Sequence, residues 1–255
     1  MKKEDFLKEM QGEEEAVILK LYNKLTLAEK IGKPIYTNEF YTPGIWSKLL
    51  KVTSRIQLQA RAYGAFEEAE RRIISFNSLD QWTMPVKLVS ILNKSKFHNL
   101  QHKDYLGALM SLGIRREKIG DLIVQDSQCY CAVCEDIVEY LINNLNYIGQ
   151  CPCQVTEITD LTDLPAYNFQ EKQIISTSLR ADCIVSSICG LSRSKSVDLL
   201  KSGRVLIDYI EVKEKDFEIT LPTTITIRGY GKYKVLDVLG NSSRGRLKIR
   251  LEKFV

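Results

Sequence analysis

Apolar residues near the start of the chain recur every three or four positions, which is the spacing of one face of an α-helix. From Glu13 to Lys30 this pattern predicts an amphipathic helix, and Pro34 is predicted to end it. A second helix is predicted to begin at Pro43, because proline suits the first helical turn.

A third helix is predicted from Glu67 to Ile74. Its charged residues would pair with each other along one face, at spacings of three and four. They are Glu67, Glu70, Arg71 and Arg72. Together the three predicted helices indicate a helical N-terminal region over residues 1–75.

The period changes after residue 75, where short apolar-rich segments typical of strands alternate with segments of helical spacing. The strands are predicted at Val86–Leu92, Asp121–Val124, Cys129–Cys134 and Gln154–Ile158, and the helices at His102–Leu112 and Glu135–Leu145. This βαββαβ order predicts a ferredoxin-like domain over residues 76–165, a fold that includes common RNA-binding modules.

A polar segment from Leu161 to Glu171 is predicted to be a linker. Beyond it, two short helices precede a small sheet. The helices are predicted at Leu179–Ile188 and Ser192–Lys201, and the strands at Val205–Asp208, Ile210–Val212 and Thr224–Arg228. The expected fold class is therefore α+β, with a third domain over residues 176–255.

Charge is distributed unevenly along the chain. Residues 176–255 contain 15 Lys and Arg against 9 Asp and Glu, whereas residues 1–175 contain 21 against 23. The net charge of +4 alone does not indicate a partner, but the basic C-terminal third does suit an anionic one.

The first 15 residues alternate Lys and Glu without the apolar core of a signal peptide. No apolar run reaches the roughly 18 residues of a membrane span. We therefore expect a cytoplasmic protein that contacts no membrane. Its seven cysteines are an odd number without an export signal, so we expect free thiols.

Five cysteines close together in sequence raise the alternative of a zinc site. They are Cys129, Cys131, Cys134, Cys151 and Cys153. Their spacing does not match paired zinc knuckles, and a redox role for Cys131 and Cys134 or a metal pair of His98 and His102 has no further support. We expect core cysteines, no metal and no cofactor.

Motifs of common enzymes are absent from the sequence. It contains no nucleophile elbow, no His-Glu-x-x-His, no Walker loop and no carboxylate pair with a defined partner. We therefore expect a protein that is not an enzyme.

Three motifs in the C-terminal domain resemble the S-four RNA-binding domain, also called the alpha-L motif. They are Leu179-Arg-Ala-Asp182, Gly190-Leu-Ser-Arg-Ser-Lys195 and Lys201-Ser-Gly-Arg-Val205. The resemblance implies that residues 176–255 form an S-four domain whose short helices present cations to RNA.

Further motifs resemble the YlmH family of bacterial RNA-binding proteins. They are Tyr63–Arg72, His102–Ile114, Arg116–Asp121 and Ile227–Lys234. That family is linked to the large ribosomal subunit, to rescue of stalled nascent chains still carried on tRNA and, by genetic neighbourhood, to cell division. The resemblance implies a monomeric, ribosome-associated protein that binds rRNA and peptidyl-tRNA. A cell-division adaptor and an accessory protein of RNA modification remain alternatives.

Nine residues are predicted to contact RNA, all in the basic domain. They are Arg180, Arg193, Lys195, Lys201, Arg204, Arg228, Tyr230, Lys232 and Lys234. Arg193 is the strongest candidate, because a guanidinium group can hold a phosphate bidentately and also stack on an unpaired base. Asp182 is predicted to orient a neighbouring side chain.

From Arg228 to Lys234, aromatic residues alternate with cations, a combination that suits stacked bases and phosphates. A hairpin with structural tyrosines is the alternative, since strand alternation alone gives this pattern. Four cations that alternate along the last predicted strand either extend the patch or form a solvated strand face. They are Arg244, Arg246, Lys248 and Arg250.

Overall fold

The computed structural model describes residues 1–12, 14–78, 80, 83–160 and 164–254. The chain divides into two compact units, Met1–Ala166 and Tyr167–Val255. Each unit contains its own buried apolar residues. Within the described residues, no helix is long and apolar enough to cross a membrane.

The N-terminal part of the first unit combines helices with a small antiparallel sheet. Its elements are α1 (Lys3–Glu9), α2 (Glu15–Ile31), β1 (Ile35–Tyr36), α3 (Pro43–Arg55), β2 (Ala60–Tyr63) and β3 (Ile73–Phe76). The predictions for α2 and for the start of α3 at Pro43 are confirmed. Helix α2 ends at Gly32, just before Pro34, because Gly32 adopts a φ of 63° and its amide donates to the Ala28 carbonyl.

The predicted third helix is wrong, and with it the prediction that residues 1–75 are helical throughout. Ile73–Phe76 form β3, the central strand of the small sheet, and all four residues are buried. Residues 67–71 form turns and bends, and Arg72 forms an antiparallel β-bridge with Tyr41. The amides of Glu70 and Arg71 donate to the Asp121 carboxylate rather than to carbonyls of a helix. Periodicity alone cannot distinguish so short an apolar run from part of a helix.

The second part of the first unit follows the predicted order of elements. They are β4 (Val86–Asn93), α4 (His102–Ser111), β5 (Ile119–Gln125), β6 (Gln128–Cys134), α5 (Val138–Asn144), β7 (Tyr147–Ile148) and β8 (Cys151–Ile158). The strands are antiparallel in the order β5-β6-β4-β8-β7, so the short strand β7 is an addition to the prediction. Asp126 and Ser127, both with positive φ, form the predicted turn between β5 and β6.

Helices α4 and α5 pack on one face of this sheet. Tyr105 and Leu109 of α4 and Leu141 of α5 share a core with Val89 and Cys131 of the strands. The opposite face is approached by the N-terminal part: a Cβ atom at Gly120 would lie 2.7 Å from the Phe40 ring. This contact requires glycine at position 120.

The second unit is a six-stranded antiparallel sheet, counted over the described residues, with two helices. Its elements are β9 (Phe169–Ser176), α6 (Ala181–Cys189), α7 (Arg193–Lys201), β10 (Val205–Ile207), β11 (Ile210–Glu211), β12 (Thr223–Ile227), β13 (Gly231–Asn241) and β14 (Leu247–Phe254). The strand order is β11-β10-β12-β13-β14-β9. Both helices lie at their predicted places, and Ser192 caps α7 by accepting a hydrogen bond from the Lys195 amide.

Strand β9 corrects the predicted linker of residues 161–171, because Phe169 already belongs to the sheet. Residues 161–163 lie outside the described part of the chain. β9 pairs with β14 along its whole length, from Phe169 opposite Phe254 to Ser176 opposite Leu247. Its exposed edge position explains the polar sequence that resembles a linker.

Candidate nucleic-acid interface

Two arginines of the predicted site share one carboxylate at the start of the helix pair. Asp182 is buried, and it accepts hydrogen bonds from Arg180 Nε at 3.1 Å, Arg180 Nη2 at 3.3 Å and Arg193 Nη2 at 2.9 Å. Burial raises the pKa of Asp182, but the hydrogen bonds from Arg193 and Arg180 outweigh that effect and lower the pKa below 3.8. The orienting role predicted for Asp182 thus has a structural basis: both guanidinium groups are held in place.

An open groove lies beside this carboxylate, lined by residues of α6, α7 and the segment 213–216. It brings together Arg180, Arg193 and Lys201 of the predicted residues and adds Lys213 and Lys215. Four carboxylates also line it: Asp182, Asp198, Glu214 and Asp216. The groove therefore offers fixed arginine geometry rather than a uniformly positive surface.

Lys213 and Lys215 were not among the predicted residues. They lie in a segment where lysines alternate with acidic residues, so net charge gave no signal there. Their proximity to Arg193 depends on tertiary folding, which positions residues 213–216 against the helix pair.

Three other predicted residues lie at or near the turn between β12 and β13. Arg204 Nη2 donates to the Arg228 carbonyl at 2.7 Å, and Tyr230 is 37% exposed. Gly229, with a φ of 91°, allows this turn, and a Cβ atom there would lie 2.7 Å from Arg204 Nη2. Lys195 is exposed on α7 but does not line the groove.

Lys232 and Lys234 lie on the face of β13 that points away from α6 and α7. Tyr233, between them, is buried in the core beneath those helices. Tyr233 is therefore structural, which agrees with the alternative of a hairpin with structural tyrosines. The aromatic partners of the two lysines come from elsewhere in the unit.

The Lys232 ammonium lies 4.8 Å from the ring centre of Tyr209 and 4.9 Å from that of Phe254, and it donates to Tyr209 Oη at 2.9 Å. Lys234 lies 4.5 Å from the Phe169 ring centre. Burial, together with the charge of Lys234, lowers the pKa of Lys232 to about 7. This lysine is therefore a weaker phosphate ligand at neutral pH than the sequence suggested.

The predicted row of C-terminal cations is only partly on a strand. Arg244 and Arg246 precede β14, which begins at Leu247. Lys248 and Arg250 do lie on β14, and Arg250 pairs with Asp237 at 2.7 Å. The alternation predicted along one strand is therefore wrong for the first two cations.

The predicted charged helix face in the first unit is likewise wrong, because those residues are not helical. Arg71 donates to the carbonyls of Ile119 at 3.3 Å and Phe40 at 3.2 Å. Arg72 donates to the Ala69 carbonyl and stacks over Trp46. These arginines fasten a loop within the unit.

All seven cysteines are free thiols, and six of them are buried. Cys129, Cys131 and Cys153 belong to the core beneath α4 and α5, whereas the Cys134 thiol donates to the Asn38 carbonyl at 3.3 Å. Burial raises the pKa of both Cys131 and Cys134 to about 12. Across the described ranges, no three ligating side chains converge as a metal site would require.

His98 and His102 do not share a helix, since α4 begins at His102. The His98 ring nitrogen Nδ1 instead lies 3.2 Å from Ser95 Oγ. The geometry considered for a histidine pair is therefore not present.

Comparison with known proteins adds to this geometry. Residues 81–162 match the family model described as "Putative RNA-binding domain in YlmH". Over 221 residues the chain is 25% identical to the ribosome-associated protein quality control protein P2 of Bacillus subtilis (strain 168). This alignment covers 84% of the present chain and 86% of the relative. A solved structure, the cell division protein ylmH from Streptococcus pneumoniae, aligns with a TM-score of 0.48 and 18% identity, over 55% of this chain and 88% of its own.

The chain thus carries an RNA-binding domain, and this domain lies in the first unit. The similarity to the YlmH family that the sequence motifs predicted is confirmed by this family model and by the Bacillus subtilis relative. The matched range contains none of the nine predicted RNA contacts, all of which lie in the second unit. No RNA contacts were predicted in this region, because residues 1–175 have a near-neutral net charge. The segment 93–103, which has lysines around an aromatic residue and no acidic residue, was the available signal.

Proposed function

We propose that this chain is a non-catalytic, monomeric RNA-binding protein that associates with the large ribosomal subunit in the cytoplasm. It contacts rRNA and peptidyl-tRNA during rescue of stalled nascent chains. The observation that carries the proposal is the RNA-binding family match of residues 81–162, within a long alignment to a protein named for ribosome-associated quality control.

The two units give the protein two RNA-binding regions in this proposal. The first unit contributes the ferredoxin-like βαββαβ domain, and the second contributes an S-four domain. The shared carboxylate of Asp182 supports the second assignment, since it holds Arg180 and Arg193 before RNA arrives. Side chains that are already ordered lose less conformational entropy on binding.

Within the S-four domain, we propose the nine predicted residues as RNA contacts, with Arg193 as the principal one. The groove residues Arg180, Arg193 and Lys201 would bind one stretch of phosphate backbone together with Lys213 and Lys215. Arg204, Arg228 and Tyr230 would meet RNA at the turn before β13.

Sedimentation of full-length protein with ribosomal particles tests the function. We expect the protein to migrate with the large subunit, to return to the top of the gradient after RNase treatment, and to dissociate steeply with salt. Cross-linking and sequencing of the bound RNA would identify the contacts. Protein that stays at the top of the gradient at physiological salt would contradict the proposal.

A further inference from the structure

Phe97 is the most exposed of the large hydrophobic side chains in the described residues. Its relative exposure is 92%, whereas the next, Tyr147, is 64% exposed. Isolated apolar residues on a surface are common, so exposure alone does not indicate a site. The surroundings of Phe97 do.

The loop that carries Phe97 is held by hydrogen bonds at its base. The Asn93 side chain is buried, donates to the His98 carbonyl at 2.8 Å and accepts from the Ser95 amide at 2.9 Å. The Lys94 amide donates to the Pro152 carbonyl of β8 at 2.9 Å. The backbone therefore presents the Phe97 ring to solvent from an anchored loop.

The segment that carries Phe97 contains basic residues and no acidic ones. From residue 93 to residue 103 the chain contains three lysines and both of its histidines, and no Asp or Glu. Lys94 and Lys96, which precede Phe97, and Lys103, which follows it, are exposed. The neighbouring hairpin of β7 and β8 adds a second exposed aromatic, because Tyr147 pairs with Pro152, the residue that Lys94 contacts.

We infer that this loop binds an unpaired nucleotide of RNA, with the Phe97 ring stacked on the base and Lys94 and Lys96 beside the adjoining phosphates. An exposed aromatic ring beside cations is the combination with which proteins bind single-stranded nucleic acid. Bases within a duplex are stacked on each other and offer no face to such a ring.

The inference rests on the proposed RNA-binding function and adds to it the class of RNA structure and the residues of the first unit that bind. A membrane or an acidic protein would also attract the lysines. RNA is favoured because the loop lies inside the range that matches an RNA-binding domain.

The test measures binding of full-length protein to two fluorescein-labelled probes, an oligouridylate of roughly 12 nucleotides and an RNA duplex of similar length. Phe97→Ala is expected to weaken binding to the single strand by roughly fivefold to a hundredfold and to leave binding to the duplex unchanged. Phe97→Tyr, which keeps the ring, should bind as wild type does. Phe97→Leu, which keeps only apolar character, should bind as poorly as Phe97→Ala.

Lys96→Gln is the matched test of the phosphate contact and should lower the salt dependence by about one ion. Because Phe97 and Lys96 are exposed, all variants should have the melting temperature of the wild-type protein. Single-strand binding by Phe97→Ala that equals wild type, or by Phe97→Leu that equals Phe97→Tyr, would overturn the inference. If wild-type protein does not sediment with ribosomes, it is the proposed function that fails.

Discussion

At the scale of single residues, Asp182 determines what Arg193 can do. Its carboxylate lies 2.9 Å from Arg193 Nη2, so the guanidinium group is oriented by one edge while its side chain remains 59% exposed. The exposed part of the group can therefore meet a phosphate in a defined direction.

Arg193→Ala should weaken ribosome association by roughly tenfold to a hundredfold, because it removes an oriented charged hydrogen-bond donor. Lys248→Ala removes the same charge from β14, and it should mainly reduce the salt dependence by about one ion. Binding curves at two salt concentrations compare them, with unchanged melting temperatures as the control. Equal losses would indicate a diffuse electrostatic surface.

Lys232 makes the stability of the second unit depend on pH. Its pKa is about 7 in the folded protein and 10.5 ordinarily, so the unfolded chain binds the proton more tightly. Stability should therefore rise as pH increases from about 7 towards 10.5. Lys232→Met should remove this rise, and its stability gain over wild type should be largest near pH 7 and shrink by pH 9.

Urea unfolding of both proteins across this pH range measures the effect. Taking the difference between variant and wild type cancels the titration of tyrosines and cysteines that both share. Parallel profiles would show that Lys232 keeps an ordinary pKa in the folded state.

At the scale of elements, the loop of residues 67–72 depends on Asp121 of β5. Asp121→Ala leaves the amides of Glu70 and Arg71 without their acceptor. We expect it to destabilise the first unit by about 1.5–3 kcal/mol. Glu9→Ala, which removes an exposed ion pair with Arg55, should cost less than about 1 kcal/mol. Similar urea midpoints for both variants would refute this role of Asp121.

The elements that the sequence predicted correctly are those whose pattern is local. Strands β4 and β6 are rich in apolar residues, and α2 and α6 repeat at helical spacing. Strand β3 has only four residues, too few for periodicity to distinguish it from part of a helix. Strand β9 depends on β14, which is far along the chain, so its own sequence resembles a linker. The aromatic contacts of Lys232 were missed for the same reason, because Tyr209 and Phe254 come from other segments.

At the scale of the whole molecule, the most basic region of the chain is not the region that matches an RNA-binding domain. The family match lies where acidic residues slightly outnumber basic ones. In our proposal, RNA recognition there depends on a local arrangement, the Phe97 loop, whereas Arg180, Arg193 and Lys201 lie in the basic unit.

Burial of the cysteines predicts slow thiol chemistry in the native protein. Because the pKa of Cys131 and Cys134 is raised to about 12, few thiolates exist at pH 8. A thiol reagent should modify Cys189, the one half-buried cysteine, before the others. It should modify all seven cysteines only after denaturation.

Elemental analysis of the purified protein should find no stoichiometric zinc. Zinc that disappears on replacing Cys131 and Cys134 would contradict the structural role of these cysteines.

The pairing of β9 with β14 also dictates an order of events during synthesis. Among the described strands, β9 has β14 as its sole neighbour, and seventy residues separate Ser176 from Leu247. While the ribosome is adding residues 177–246, every described strand of the first unit has already been made. The sheet of the second unit still lacks β14, the strand between β13 and β9. Long-range pairing of this kind forms slowly and late. The second unit therefore completes its fold only when residues 247–254 have emerged from the ribosome, later than the strands of the first unit.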